Sequence, residues 1–263
     1  MVGCQWLVDR WQYFFVYCLI STRRAINELT LSFLSAHFLN SMLFNQDLLF
    51  LHVPKTGGMA VTKKLLDILP KPIYYALPDG ANDKAHNPPE IIAIAGKRHG
   101  NLKQAQDWVA EYGKTLASFK KIVATIRNPY AMEVSRYFYL RLGHPWDKGK
   151  AQQMALENDF ATFAIKSPYF GRKLSRVEDY FLVDGTMPEN MMVIKQEQLN
   201  SDLTKVLAQL ELTLETPITK INGTKHADYR QYITAESEAA IYQRYQWLFD
   251  AGFYQREAFV LSN

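Results

Sequence analysis

The stretch LLFLHVPKTGGMAVTKKLL, residues 48–66, decides how the chain reads. Its first half is an unbroken apolar run of Leu48, Leu49, Phe50 and Leu51, with Val53 beyond, the pattern of a strand buried on both faces. Pro54 ends the run and the pair Gly57-Gly58 follows. Over residues 61–69 apolar side chains then recur at helical spacing until Pro70. A strand that turns through a lysine and two glycines straight into a helix is suited to an anion. Gly57 and Gly58 let the backbone approach closely, the helix start presents unpaired N–H groups, Lys55 adds a mobile charge and Thr56 a hydroxyl donor. The order differs from the GxxxxGK[ST] phosphate loop, where the lysine comes after the glycines.

Further along, residues 73–77 read as a short strand, 79–89 as a polar surface loop, and 91–95 as a second apolar run closed by Gly96. Residues 122–126 are a third buried strand and 191–194 another. Helices are expected over 101–113, 129–142, 151–165 and 201–210, with one long amphipathic helix over 235–249 closing the chain. Strands alternating with helices imply an α/β fold in three layers, a central parallel sheet flanked by helices. In such sheets ligands bind beyond the carboxyl ends of the strands.

Upstream of residue 47 the pattern is different. Residues 1–46 read as an N-terminal helical extension, two segments rich in Leu, Phe and Trp broken near Ser21 and Asn40, ahead of a domain over 47–263. Residues 6–20 are aromatic and apolar but interrupted by Asp9 and Arg10, and the clean part, 11–20, is about half the ~20 residues a membrane span needs. With no basic region before it and no small-residue cleavage site after it, an amphipathic helix packed on the domain is expected, and a membrane anchor is the alternative.

The bulk numbers fit one folded domain. Of 263 residues, 48% are hydrophobic and 21% charged, without repeats or low-complexity tracts. A net charge of +4, from Lys and Arg that are scattered rather than clustered, suits an anionic small ligand and argues against a nucleic-acid surface. Cys4 and Cys18 make no disulfide framework, and no Cys/His spacing suggests a metal.

A second segment, KKIVATIRNPYAMEVSRYFYL at residues 120–140, complements the first. Arg127 ends a strand, Asn128 is a helix N-cap, Pro129 suits the first helical position, and Ser135 lies about two turns in. A phosphate in the crevice can meet both the guanidinium and the hydroxyl, and the planar fork of arginine can bind two of its oxygens at once.

Together the two segments resemble sulfotransferases that use PAPS (3′-phosphoadenosine-5′-phosphosulfate), in particular the carbohydrate-modifying, heparan/chondroitin-type branch. The lysine-first loop is similar to that branch's HxPKTGGTS-like 5′-phosphosulfate loop, and Arg127 with Ser135 to its RxPxxxxxS grip on the 3′-phosphate. Met59 and Ala60 stand where the pattern has hydroxyl residues, and Met132 where it often has a base. MMVIKQEQLNSDLTKVLAQLEL (191–212) resembles the family's late strand and helix. NGTKHADYRQY (222–232) resembles the loop that closes over the nucleotide, which implies that Lys225 is a further phosphate contact. The likeness spans about residues 48–254.

Of the histidines, His99 is best placed. In GKRHGNLKQA (96–105) it follows an apolar run and precedes a helix, where glycosaminoglycan 2-O-sulfotransferases have their general base, and an imidazole pKa near ~6.5 suits that work. His52 reads as core, His37 lies in the extension, His86 and His144 lie in loops, and His226 is the alternative base. The resemblance implies a P-loop-like fold, PAPS as co-substrate, no metal, a carbohydrate hydroxyl as acceptor, Lys55 at the leaving phosphate and His99 as base. It implies a cytoplasmic or membrane-associated setting, or the Golgi lumen in a eukaryote, where Asn222-Gly223-Thr224 would be a glycosylation sequon. Two other readings stay open: a P-loop kinase, and a non-catalytic nucleotide- or glycan-binding protein. Tyr137, Phe138 and Tyr139 read as core without function, and the loops 79–89 and 143–150 are where acceptor choice is expected.

Overall fold

Six strands form one sheet in the order β4-β3-β1-β2-β5-β6. The structure is a computed structural model and describes residues 42–77, 88–97, 99–143, 149–168, 176–219 and 225–259. The expectations for Cys4, Cys18 and the amphipathic or anchoring segment lie outside the described residues, as do His37, His86, His144 and the sequon at Asn222. Among the described residues no helix is long and apolar enough to cross a membrane.

The strands are β1 Leu43–Phe44, β2 Leu48–Leu51, β3 Ile73–Leu77, β4 Ile91–Ala95, β5 Lys121–Ile126 and β6 Met191–Lys195. β1 pairs antiparallel with both β2 and β3. The β2–β5, β5–β6 and β3–β4 pairs are parallel. β2 and β3 therefore run the same way, so every strand but β1 ends at the same edge. The central strands are apolar and fully buried, as their unbroken runs require.

β1 corrects the far end of the helical extension read over residues 1–46, because Leu43 and Phe44 are a strand inside the sheet; residues 1–41 lie outside the described residues. Asn45 organises the hairpin: buried, it accepts hydrogen bonds at Oδ1 from the backbone N–H of Asp47 (3.0 Å) and Leu48 (2.9 Å). Two residues carry no periodicity, and that is why the strand is invisible in the sequence.

The helices are α1 Gly58–Ile68, α2 Leu102–Ala110, α3 Pro129–Leu140, α4 Lys150–Glu157, α5 Phe160–Lys166, α6 Leu199–Ala208, α7 Ala235–Arg244 and α8 Gln246–Asp250. The single helix expected over 151–165 is two. Asp159 breaks it by turning its side chain to accept from the Thr162 N–H at 2.8 Å, capping α5. The long closing helix expected over 235–249 also breaks, at Tyr245. That residue is buried, departs from helical geometry and donates its hydroxyl to Glu133 Oε2 at 2.7 Å.

Glu133 lies at the centre of the packing among α3, α5 and α7. It is fully buried, and its Oε1 accepts from Arg136 (2.7 Å) and Arg244 (2.6 Å). Burial alone would raise its carboxyl, but the two guanidiniums and the Tyr245 hydroxyl outweigh it and hold the group below the usual carboxylate range. Arg244 also donates to the carbonyls of Ala164 and Ser167, closing the end of α5.

The path of the chain defines a crevice. After β2 the chain crosses to β3 and β4, and after β5 it goes the other way to β6. β2 and β5 are neighbours, so their departures in opposite directions open a cleft at their carboxyl ends, the switch point where open α/β sheets bind ligands.

Candidate active site

Two strand-to-helix corners line that cleft. The first leaves β2 through Pro54, Lys55, Thr56 and Gly57. Lys55 has φ +63° and Gly57 φ +82°. A positive φ is uncommon for lysine, and alternating hand along a short loop turns its N–H groups toward one side, the geometry of an anion-binding concavity. No side chain caps α1 at Gly57; the Ala60 N–H turns back to the Gly57 carbonyl at 3.1 Å, and the helix start receives no side-chain oxygen.

The residues of this loop divide the work differently from the sequence expectation. Thr56 is 1% exposed and its hydroxyl donates inward to Val53 O at 2.7 Å. With that proton committed, Thr125 on β5 is the donor in the 2.5 Å contact between the two threonine hydroxyls. Thr56 thus ties the loop to β5, and what it can offer an anion is its backbone N–H. Gly58 serves the core: a Cβ there would lie 2.3 Å from His52 Cδ2, so the glycine admits the imidazole. His52 is buried, as its position in the strand suggested.

The second corner leaves β5 at Arg127. Asn128 caps α3, accepting from the N–H groups of Tyr130 (3.0 Å) and Ala131 (3.2 Å), and Pro129 opens the helix as expected. Arg127 Nη1 donates to the Lys55 carbonyl at 3.4 Å, joining the two corners across the cleft. Its Nε is buried with no hydrogen-bond partner among the described residues. Burial lowers the guanidinium pKa, and the nearby Glu197 and Tyr254 oppose that shift. The Glu197 oxygens are committed elsewhere, accepting from the Asn128 N–H (2.7 Å) and the Tyr254 hydroxyl (2.9 Å). Spare donors on a desolvated cation are what a bound phosphate would satisfy.

His99 reaches the same edge from the other side. The loop after β4 carries it to β2, where its Nδ1 lies 3.0 Å from His52 O and its ring stands edge-on to the His52 ring at 4.8 Å. A carbonyl only accepts, so His99 donates from Nδ1 and a neutral ring keeps its lone pair on Nε2. The Tyr180 hydroxyl donates to His99 O at 3.2 Å and holds the backbone.

The cleft thus gathers Lys55, Thr56, Gly57, Gly58, Arg127 and His99 at one edge. Ser135 lies two turns into α3, 4% exposed, on the helix that starts beside Arg127. Met132, on the same helix, is fully buried in the core. Lys225 is exposed and makes no ion pair or hydrogen bond among the described residues. Its neighbour His226 stacks on Phe138 of α3 at 5.3 Å, so the segment lies along that helix.

Sequence reasoning missed the acidic and tyrosyl groups around Arg127. Glu257 accepts from Asn128 Nδ2 (2.8 Å) and the Tyr229 hydroxyl (2.7 Å), and with Glu197 and Tyr254 it brings the C-terminal segment to this corner. These partners lie 28 to 129 residues apart in the chain, and no local pattern pairs them. Tyr139, read as core, lies beneath the Lys55 ammonium, 3.9 Å from Nζ to the ring centroid.

None of the family models, curated proteins or solved structures compared with the chain matches it.

Proposed function

We propose that this chain is a PAPS-dependent sulfotransferase on a P-loop-like scaffold, acting on a carbohydrate hydroxyl. The observation that carries the reading is the hydrogen bond from Arg127 to the Lys55 carbonyl at the switch point. It brings the main chain of Lys55 against the Arg127 guanidinium, which supports reading the two corners as the two ends of one site for a doubly phosphorylated nucleotide. The uncapped start of α1 and the unpartnered Arg127 Nε support an anion at each grip.

The polarity of the edge orders the reaction. The 3′-phosphate belongs on the β5 side, with Arg127 and Ser135, and the 5′-phosphosulfate over the loop at Lys55, Gly57 and Gly58. The acceptor enters from the β3–β4 side, where His99 stands. His99 Nε2 takes the hydroxyl proton as the acceptor oxygen bonds to sulfur. The bond from sulfur to the 5′-phosphate oxygen breaks, and Lys55 offers its charge to that oxygen. Sulfated acceptor and 3′,5′-bisphosphoadenosine leave. Lys225 lies on the segment along α3 and is assigned to the nucleotide's phosphates.

One observation favours a second reading, a nucleotide-binding protein without transferase activity. The Thr56 hydroxyl is turned inward, and Met59 and Ala60 bring none, so the loop offers the donor no side-chain hydroxyl. One experiment separates the cases. Thermal stabilisation by 3′,5′-bisphosphoadenosine, 5′-AMP and ATP with Mg²⁺ is compared, then label transfer from [³⁵S]PAPS to desulfated polysaccharides and simple sugars is measured. Stabilisation by the bisphosphate above 5′-AMP, with transfer, is expected. Binding without transfer to any acceptor selects the second reading, and stabilisation by ATP alone selects a kinase.

A further inference from the structure

We infer that Glu257 is a positioning residue of the donor site, latching the segment that carries Lys225 to the corner that carries Arg127. The inference rests on the sulfotransferase reading and adds a residue to it. Glu257 Oε1 accepts from two groups at once, Asn128 Nδ2 at 2.8 Å and the Tyr229 hydroxyl at 2.7 Å. Its Oε2 lies 3.3 Å from Arg230 Nε. Asn128 is the cap of α3 and follows Arg127 directly, whereas Tyr229 and Arg230 belong to a short 3₁₀ turn, Tyr229–Gln231, just past Lys225. Burial and the bond to Glu257 raise the Tyr229 phenol above its ordinary range, so it stays protonated and donates.

The neighbours of Glu257 fix where its carboxylate stands. Arg256 forks onto Glu238 of α7, at 2.9 Å from Nε and 2.7 Å from Nη2, and the Glu257 N–H donates to the Tyr130 hydroxyl at 3.4 Å. Beyond it the Phe259 ring stands edge-on to Tyr130 at 4.9 Å. A side chain whose main chain is fastened on both flanks loses little further freedom when it bridges two partners. The segment has a second hold. His226 stacks on Phe138 of α3 with ring centroids at 5.3 Å, and Tyr232 meets the same ring edge-on at 5.1 Å. Phe138 lies at i+3 from Ser135, so the two share one side of α3. Ring contacts fix distance better than direction, whereas two short hydrogen bonds to one carboxylate oxygen fix both. Glu257 thus sets the register of the segment at the start of α3, and Lys225, next to His226, is placed at the 3′-phosphate end of the site.

Glu257→Ala removes the latch, Glu257→Gln keeps an oxygen for both donors, and Tyr229→Phe removes the segment's bond to Oε1 while leaving that of Asn128. By calorimetry, affinity for 3′,5′-bisphosphoadenosine is expected to fall about tenfold in Glu257→Ala and about fivefold in Tyr229→Phe. It should stay within about twofold in Glu257→Gln, and that for 5′-AMP within about twofold throughout. A double-mutant cycle separates positioning from general support. In a Lys225→Ala background Glu257→Ala should cost less than about twofold more, because the group it positions is gone. Losses that multiply in the double variant would overturn the inference, as would an unchanged Tyr229→Phe or an equal loss for 5′-AMP. A readout without ligand accompanies it. The N–H groups of Gln231 and Tyr232 donate to the carbonyls of Asp228 and Tyr229, both at 3.1 Å. Hydrogen exchange over residues 229–232 should speed up in Glu257→Ala and Tyr229→Phe while the amides of α3 stay protected. Unaltered exchange in both variants overturns the latch itself. A wild-type chain that binds no bisphosphate sinks the sulfotransferase reading instead, and the exchange rates still decide whether Glu257 holds the segment.

Discussion

The two corners at the switch point occupy neighbouring strand ends but are built by opposite means. The β2 corner is made of backbone: a positive φ at Lys55 and another at Gly57, no capping side chain, and inward-turned threonine and glycine. The β5 corner is made of side chains: Asn128 caps the helix, Glu197 and Glu257 brace the cap, and Arg127 stands desolvated beside them. The difference teaches where charge can be bound at each. An open backbone corner receives an anion on its N–H groups, with one flexible lysine added. A closed, capped corner has its N–H groups already satisfied and can bind an anion only through side chains, with the arginine supplying the charge.

The closed corner depends on α3 staying where Glu133 fastens it. The largest expected effect is therefore on stability. Glu133→Gln leaves two buried guanidiniums without their counter-charge and should cost about 3–5 kcal/mol in chemical denaturation. The pH dependence has a definite sign. Because the folded state lowers the carboxyl pKa, Glu133 contributes its stability above the ordinary carboxylate pKa and loses it as pH falls through the lowered value. The wild type should lose stability over that acid window, and the Gln variant should lose less. A Gln variant as stable as the wild type would show that α3 is held by apolar packing alone.

Lys55→Ala tests the open corner, which has a single side-chain charge to lose. Label transfer should fall about 10²–10³-fold, the effect of deleting one charge-stabilising donor in a water-poor site. Survival of transfer nearly intact would move the catalytic charge to another residue.

Much of this contrast is written locally. Asn128 and Pro129 announce the start of α3 because a cap and a fixed φ are properties of single residues. The apolar runs of β2 and β5 mark the sheet because buried parallel strands need no alternation. What escaped the sequence depends on distance along the chain. The break at Tyr245 comes from a burial and a hydrogen bond to Glu133, 112 residues away. The inward turn of the Thr56 hydroxyl comes from the packing of β2 on β5, and the sequence equally allowed it to face the ligand. Tyr139 read as core because a helical aromatic usually is core, and its place under Lys55 follows from the switch point.

Arg127→Ala should separate the two grips. Affinity for 3′,5′-bisphosphoadenosine is expected to fall about 10–100-fold by calorimetry, the value of a charge-assisted phosphate contact, with 5′-AMP nearly unaffected. An equal loss for both nucleotides would place Arg127 at the 5′ end and undo the assignment of the corners.

The smallest effect is the most discriminating about how the closed corner is made. Asn128→Ala removes the cap and should destabilise by about 1 kcal/mol. At an isolated helix start an aspartate would restore this, since its oxygen caps as well as asparagine's and its charge suits the helix dipole. Here Asn128 Nδ2 donates to Glu257 Oε1 at 2.8 Å and the backbone N–H to Glu197. Asn128→Asp would turn that donor into a second carboxylate facing Glu257, so the variant should be no more stable than Asn128→Ala. Adding Glu257→Gln, which gives the amide a proton to donate, should recover the difference. If Asn128→Asp alone matched the wild type, the C-terminal segment would not be bracing the cap. The closed corner would then be an ordinary capped helix with an arginine beside it.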